Sequence, residues 1–348
     1  MGGAAEGEVS EVGAGSGLDR NKTTCLREQD GAAYASAPPA PRISRPVPRR
    51  LPARKVMTIA VGVLATDGVV LAADTQLTIT NVWKGEGGKI MALARQKSPS
   101  GACAITGAAS LYEYLHGLGD ELTKDFTRGL DDADKESAYE RFGIVVRRFY
   151  ERHVIPFTVD TPDVAVLIAY QRGDETALWQ SNRNALIEQY DHGAVGIGSF
   201  AATAWLSRVW KPGLDVPAAI VLASFAAAVA KDSVDGCGKY TQVLAVQGNH
   251  FHRIDQKLID ELDKLYDAYT SEIQPAQVME CFGEPLLTKP SLTLDSFKER
   301  IGEVIATLRS NTPERVKQWR LQRLERLKAR QAAQSPKVQK PDPPPLPE

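Results

Sequence analysis

Thr58-Ile-Ala-Val-Gly-Val-Leu-Ala-Thr-Asp-Gly-Val-Val-Leu-Ala-Ala-Asp74 decides how the rest of the chain is read. Two short apolar runs, Thr58 to Leu64 and Val69 to Ala73, flank Ala65-Thr66-Asp67-Gly68. Asp-Gly between β-prone runs is a hairpin signal, because Gly takes positive φ without a steric penalty. Neither run alternates cleanly with polar residues, so both strands are expected to be buried on both faces, inside a layered sheet. A core hairpin with two polar ends would satisfy this pattern on its own. The residues at and beyond its ends add chemistry.

Thr58 follows Met57, and Asp74 closes the second run. Further on come Lys84-Gly-Glu-Gly-Gly-Lys89-Ile90 and Ala104-Ile-Thr106-Gly107-Ala-Ala109. A Thr, an Asp sixteen residues later and a Lys fifteen beyond that, followed by a Thr-Gly turn, resemble the proteasome β-subunit family. The resemblance is strongest to its bacterial branch, the ATP-dependent protease ring subunits of the Ntn-hydrolase superfamily. It covers roughly residues 58 to 255. It implies an α+β fold, a four-layer αββα sandwich. It also implies a threonine-type peptidase that cuts unfolded polypeptides inside a homo-oligomeric ring in the cytoplasm, fed by an ATP-dependent unfoldase.

On this resemblance Thr58 is the nucleophile, and Asp74 and Lys89 are its charged partners. An N-terminal Thr needs a base, and its own α-amine, with a reference pKa of about 7.7–8.0, can serve. Lys89 is expected to stand beside it as a permanent cation paired with Asp74. Thr106-Gly107 is the candidate oxyanion donor, read as a turn that ends a strand. In Lys231-Asp232-Ser-Val-Asp235-Gly236, the family's supporting Asp maps to Asp232, and Asp235 stands where a Ser is expected. In Gly196-Ile197-Gly198-Ser199, Ile197 replaces a second expected Ser. Ser199 and Asp235 are the candidate substitutes. The two missing hydroxyls keep two rival readings open: an Ntn amidohydrolase acting on a small amide, and a catalytically silent structural subunit. Each residue also has a plain reading, as a strand Thr, a strand-end or helix-end Asp, a solvated Lys and a turn Gly.

With 42 basic and 43 acidic residues, net charge is near zero, and nothing in it calls for nucleic acid or an anionic membrane. No apolar run was found to reach the ~18 residues of a membrane span; Val216 to Ala230 reads as a buried, Ala-rich helix. Cys25, Cys103, Cys237 and Cys281 are scattered without metal-ligand spacing, the usage of a reducing compartment, with Cys103 a small core residue. His250 and His252 share a strand face that is expected to be exposed rather than to hold zinc. No metal and no cofactor is expected.

Residues 1–57 read as a disordered leader or as sequence upstream of a mis-assigned start, because Ala, Gly, Ser, Pro and charge dominate. The Met57-Thr58 pair would give a free Thr58 amine after initiator-Met removal. Residues 58–255 form the main domain: strands, two helices, strands, two helices, strands. Helical faces are legible from Ala108 to Leu122, Asp134 to His153, Ser199 (as cap) to Trp210, and from Pro217 to Asp232. Residues 256–332 read as a helical extension that the resemblance leaves unexplained, and 333–348 as a disordered Pro- and Lys-rich tail.

Overall fold

The computed structural model describes residues 58–78, 84–93, 101–109, 112–127, 134–156, 164–275 and 292–334. The expectations for residues 1–57 and for the tail beyond Gln334 lie outside the described residues. The decisive stretch forms the expected hairpin. Strands β1 (Ile59–Ala65) and β2 (Gly68–Asp74) pair antiparallel, with Ala60 opposite Ala73 and Ala65 opposite Gly68. They are central strands of a five-stranded antiparallel sheet that also contains β10 (His192–Gly196), β11 (Thr241–Gln247) and β12 (His250–Arg253), in the order β10-β1-β2-β11-β12. A second five-stranded sheet runs β5 (Ile90–Ala92), β6 (Ala102–Ala109), β7 (Val164–Arg172), β8 (Glu175–Asn182), β9 (Ala185–Gln189). The backbone ribbon β3 (Gln76–Thr78) and β4 (Lys84–Glu86) lies between β2 and β5 in the chain.

Every residue of β2 is buried, and its two faces go to different layers. Val69, Leu71 and Ala73 meet Ala102, Ala104, Leu167 and Leu178 of the second sheet. Val70 and Ala72 meet helices α3 (Ser199–Val209) and α4 (Val216–Ser233). The outer face of the second sheet buries Ile105, Ile168 and Trp179 against α1 (Tyr112–Thr127) and α2 (Lys135–His153) through Leu118, Phe142 and Phe149. The result is the four-layer αββα arrangement. Two-sided burial explains why polar alternation is missing from these strands.

Helix α4 is 18 residues long and apolar enough to cross a membrane by length and composition, which the shorter run read from sequence did not anticipate; 67% of it is buried against the first sheet. Beyond β12 come α5 (Gln256–Ala268), which ends in a π-turn at Tyr269–Ile273, then α6 (Leu294–Ser310) and α7 (Glu314–Gln334). Ile259, Leu262, Leu265, Val304 and Leu308 join the same apolar cluster as α4. These helices therefore extend a layer of the main core. Phe225 of α4 packs edge-on against Tyr266 of α5, which binds the two parts together.

Helix α7 crosses the hairpin turns at one end of the sandwich. Arg320 pairs with Asp67 at 2.7 Å in the β1–β2 turn, and Arg326 with Asp174 at 3.0 Å in the β7–β8 turn. The Trp319 ring lies against Gly248 in the β11–β12 turn. That turn also reaches the other sheet, where Gly173 N donates to Asn249 Oδ1 at 2.8 Å. The histidine face expected to be exposed is thus covered. Burial pushes the His252 imidazole down to about 4, helped by Arg315 and Arg320 of α7, and its Nδ1 has no hydrogen-bond partner among the described residues. A depressed histidine is neutral in both states above its unfolded value near 6.5. As pH falls from there toward 4 only the unfolded chain gains the proton, so stability drops. Urea unfolding at pH 7 and pH 4.5 is expected to differ by about 2 kcal/mol from this group. His252→Phe should flatten that difference.

Candidate active site

Thr58 immediately precedes β1, Asp74 ends β2 and Lys89 immediately precedes β5, so the hairpin and the second sheet bring all three to the end of the sandwich opposite α7. All three are buried, Asp74 completely. Thr58 Oγ1 donates to Asp74 Oδ1 at 2.5 Å, and the Ile59 N–H donates to the same oxygen at 3.2 Å. An ammonium has three donors, and Lys89 Nζ has three acceptors: Thr58 Oγ1, Asp74 Oδ1 at 2.6 Å and the Gln76 carbonyl at 2.5 Å.

Burial disfavours the charge of Lys89 and pulls the amine below its ordinary range, although Asp74 and, more weakly, Cys237 oppose this. An amine that gives up its proton more readily, in contact with a hydroxyl, is suited to receive the hydroxyl proton.

Three groups that the sequence reading passed over complete the surroundings. Gly238 N donates to Asp74 Oδ2 at 3.1 Å, so both carboxylate oxygens are engaged. Gln76 Nε2 donates to the Gly236 carbonyl at 2.9 Å and holds the turn that carries Gly238. Cys237, between those glycines, is buried, and its thiol is pushed up to about 12 by burial and by Asp74, so it is not a competing nucleophile. The signals available were the position of Gln76 two residues past Asp74 and the Gly-Cys-Gly spacing.

Thr106 and Gly107 are not a turn. Strand β6 runs through both to Ala109, and the helix begins at Tyr112 rather than Ala108. Gly107 is glycine because β7 lies so close: a Cβ there would meet the Ala165 carbonyl at 2.4 Å. The pairing of β5 to β6 stops at Ile90 opposite Thr106, one residue from Lys89. Gly107 is therefore the first β6 residue past that pairing. The Thr106 hydroxyl is buried and has no hydrogen-bond partner among the described residues.

Other sequence candidates lie elsewhere. Asp232 is exposed on the last turn of α4 and accepts a hydrogen bond from Tyr266 of α5. Its neighbour Lys231 turns to Asp263 and Thr241. Asp235 is exposed in the loop after α4. Ser199 is the first residue of α3 and not its cap, which is Gly198 with no side-chain capping bond. Among the described residues, none of the three is hydrogen-bonded to Thr58, Asp74 or Lys89. The sequence mapping at 232–235 failed because the chain turns sharply at Gly236, at φ +103°, and sends backbone rather than these side chains toward Asp74.

Gly196 fixes the backbone of Thr58. It sits opposite Ile59 in the β1–β10 pairing, at φ +102°, and a Cβ would lie 2.2 Å from the Thr58 carbonyl oxygen. Gly196→Ala is expected to cost about 1–3 kcal/mol in urea unfolding, from combined backbone strain and overlap.

A model of the proteasome subunit family matches residues 57–244, more than half of the chain and the part that contains the whole Thr58 cluster. A search of curated proteins returned no significant match. Among solved structures, the fold is similar to Anbu (ancestral beta-subunit) from Yersinia bercovieri at 15% identity and a TM-score of 0.53, covering 66% of this chain and 99% of that one. It is similar to a Gly-1 mutant of Anbu from Hyphomicrobium sp. strain MC1 at 15% identity and a TM-score of 0.52, covering 67% and 99%. At such identity these structures speak to the fold, while the family match carries the lineage. Two antiparallel sheets between helix pairs, with a Thr at the start of β1 against an Asp and a Lys, fit that match: the chain belongs to the proteasome subunit family.

Proposed function

We propose that the chain is a threonine-type N-terminal-nucleophile peptidase subunit that hydrolyses peptide bonds of unfolded polypeptides within a self-assembled cytoplasmic ring. The observation that carries this is the buried contact of Thr58 Oγ1 with both Asp74 and Lys89. In the reaction, Oγ1 attacks the scissile carbonyl carbon as its proton passes to a neighbouring amine. The C–N bond then breaks, and the leaving amine takes that proton. Water hydrolyses the resulting ester and regenerates the hydroxyl. Lys89 Nζ and the α-amine of Thr58 are the two proton carriers, and the second exists only once the Met57–Thr58 bond is cut. The Gly107 N–H is the proposed donor to the oxyanion; removing one such donor typically costs about 10²–10³ in rate. N-terminal sequencing of protein from its own host should read Thr58 first.

The rival reading, a catalytically silent subunit, draws on Ile197 and Asp235 in place of hydroxyls and on Asp232 facing Tyr266. A fluorogenic peptide panel, run with and without an inhibitor that captures N-terminal threonine, separates the readings. Inhibitable peptide turnover supports the peptidase, turnover of small amides alone an amidohydrolase, and no turnover the silent subunit. Enclosure of an unselective nucleophile requires assembly, so light scattering at micromolar concentration should give a mass well above that of a dimer. A monomer would overturn the ring.

A further inference from the structure

We propose that Gln76 is a positioning residue that sets the register between Lys89 and Asp74, acting on both at once from opposite sides of its own backbone. This rests on the peptidase reading and deepens it. The main-chain carbonyl of Gln76 accepts from Lys89 Nζ at 2.5 Å. The side chain of the same residue, itself buried, donates to the Gly236 carbonyl at 2.9 Å. Two residues on, Gly238 N donates to Asp74 Oδ2 at 3.1 Å. One residue thus holds the amine directly and the carboxylate through a turn.

The fit is close on every side. A Cβ on Gly238 would lie 2.6 Å from Gln76 Oε1, so the amide lies directly against the turn backbone. Gly236 is at φ +103° and Lys239 at φ +58°, so the turn has a shape that an unsupported chain would leave readily. Among the described residues, the titratable groups that face Lys89 are Asp74 and Cys237, both anchored in this arrangement, and the Thr58 α-amine joins them once the Met57–Thr58 bond is cut. If the amide is lost, the turn relaxes and the Gly238 N–H leaves Asp74. The carboxylate then has more charge to offer Lys89, and the ammonium form gains.

Gln76→Met keeps the bulk and the main-chain carbonyl but removes the donor. The expected result is a kcat lower by about tenfold, a KM within twofold of wild type, and an acid limb of the kcat profile displaced to higher pH by half a unit or more. A role confined to stability would lower the unfolding midpoint and leave the profile in place. Gly238→Ala should do the same from the other partner, and the double variant should fall short of the summed effects. It also serves if Gln76→Met does not fold.

Carbon-13 NMR titration of Lys89 in the Thr58→Ala background reads the same coupling without turnover. An inactive wild type would thus overturn the peptidase reading while the clamp is still tested. An upward shift of Lys89 in Gln76→Met supports the proposal. An unchanged titration together with an unchanged pH profile overturns it.

Discussion

Thr58→Ala is expected to remove peptide hydrolysis entirely within assay sensitivity, a loss of at least about 10⁴-fold, while the protein folds and assembles as before. Among the described residues, the Thr58 hydroxyl is the one that contacts both charged groups, and Cys237 is held as a thiol. What remains after the substitution is a satisfied pair: Lys89 still meets Asp74 and the Gln76 carbonyl, and Asp74 still meets Gly238 and Ile59. No buried charge is stranded, so the unfolding midpoint should move little. Turnover and circular dichroism on the same preparation check both halves. Full activity in Thr58→Ala would end the peptidase reading.

Lys89→Ala is expected to act differently, because it is destructive for both the chemistry and the fold. Asp74 is completely buried and has Lys89 as its ion-pair partner. Removing one member of a buried pair typically costs about 3–5 kcal/mol, since the other charge is left without compensation. The remaining N–H donors on Asp74 soften that loss, so about 3 kcal/mol is the expected size. The double variant Lys89→Ala, Asp74→Ala should recover part of the stability and none of the activity. If the single and double variants are equally stable, the pair is not the uncompensated-charge system described here. Activity near wild type in Lys89→Ala would exclude it as proton carrier and leave the Thr58 amine alone in that role.

The hairpin and the layer order were legible because each leaves a local mark, and the charged cluster through the family resemblance. Asp67-Gly68 marks a turn, unalternating runs mark strands buried twice, and the Thr58–Asp74 spacing matches one hairpin. Strand β6 was cut short because Gly107 reads as a breaker, when it is there to let Ala165 approach. Asp232 was misplaced because position along a helix end does not reveal where a loop turns; the positive φ at Gly236 decides that. The contacts of Gln76 span 160 residues to Gly236, and no window of sequence contains both ends. The burial of His252 likewise depends on α7, which lies far along the chain.

That distance has a consequence for synthesis. Asp67 waits for Arg320, 253 residues later, and Asp174 waits for Arg326, 152 residues later. At roughly 5–20 residues per second a ribosome makes the first of these partners available only after roughly 13–50 s. Both sheets can form in the nascent chain, but the turns that α7 spans stay unclasped until Arg320 and Arg326 have been made. The clasp is therefore a late event in folding and falls at the end of the sandwich farthest from Thr58. A chain stalled before Arg320 would have the neighbourhood of Thr58 in place on two packed sheets whose hairpin turns are not yet clasped.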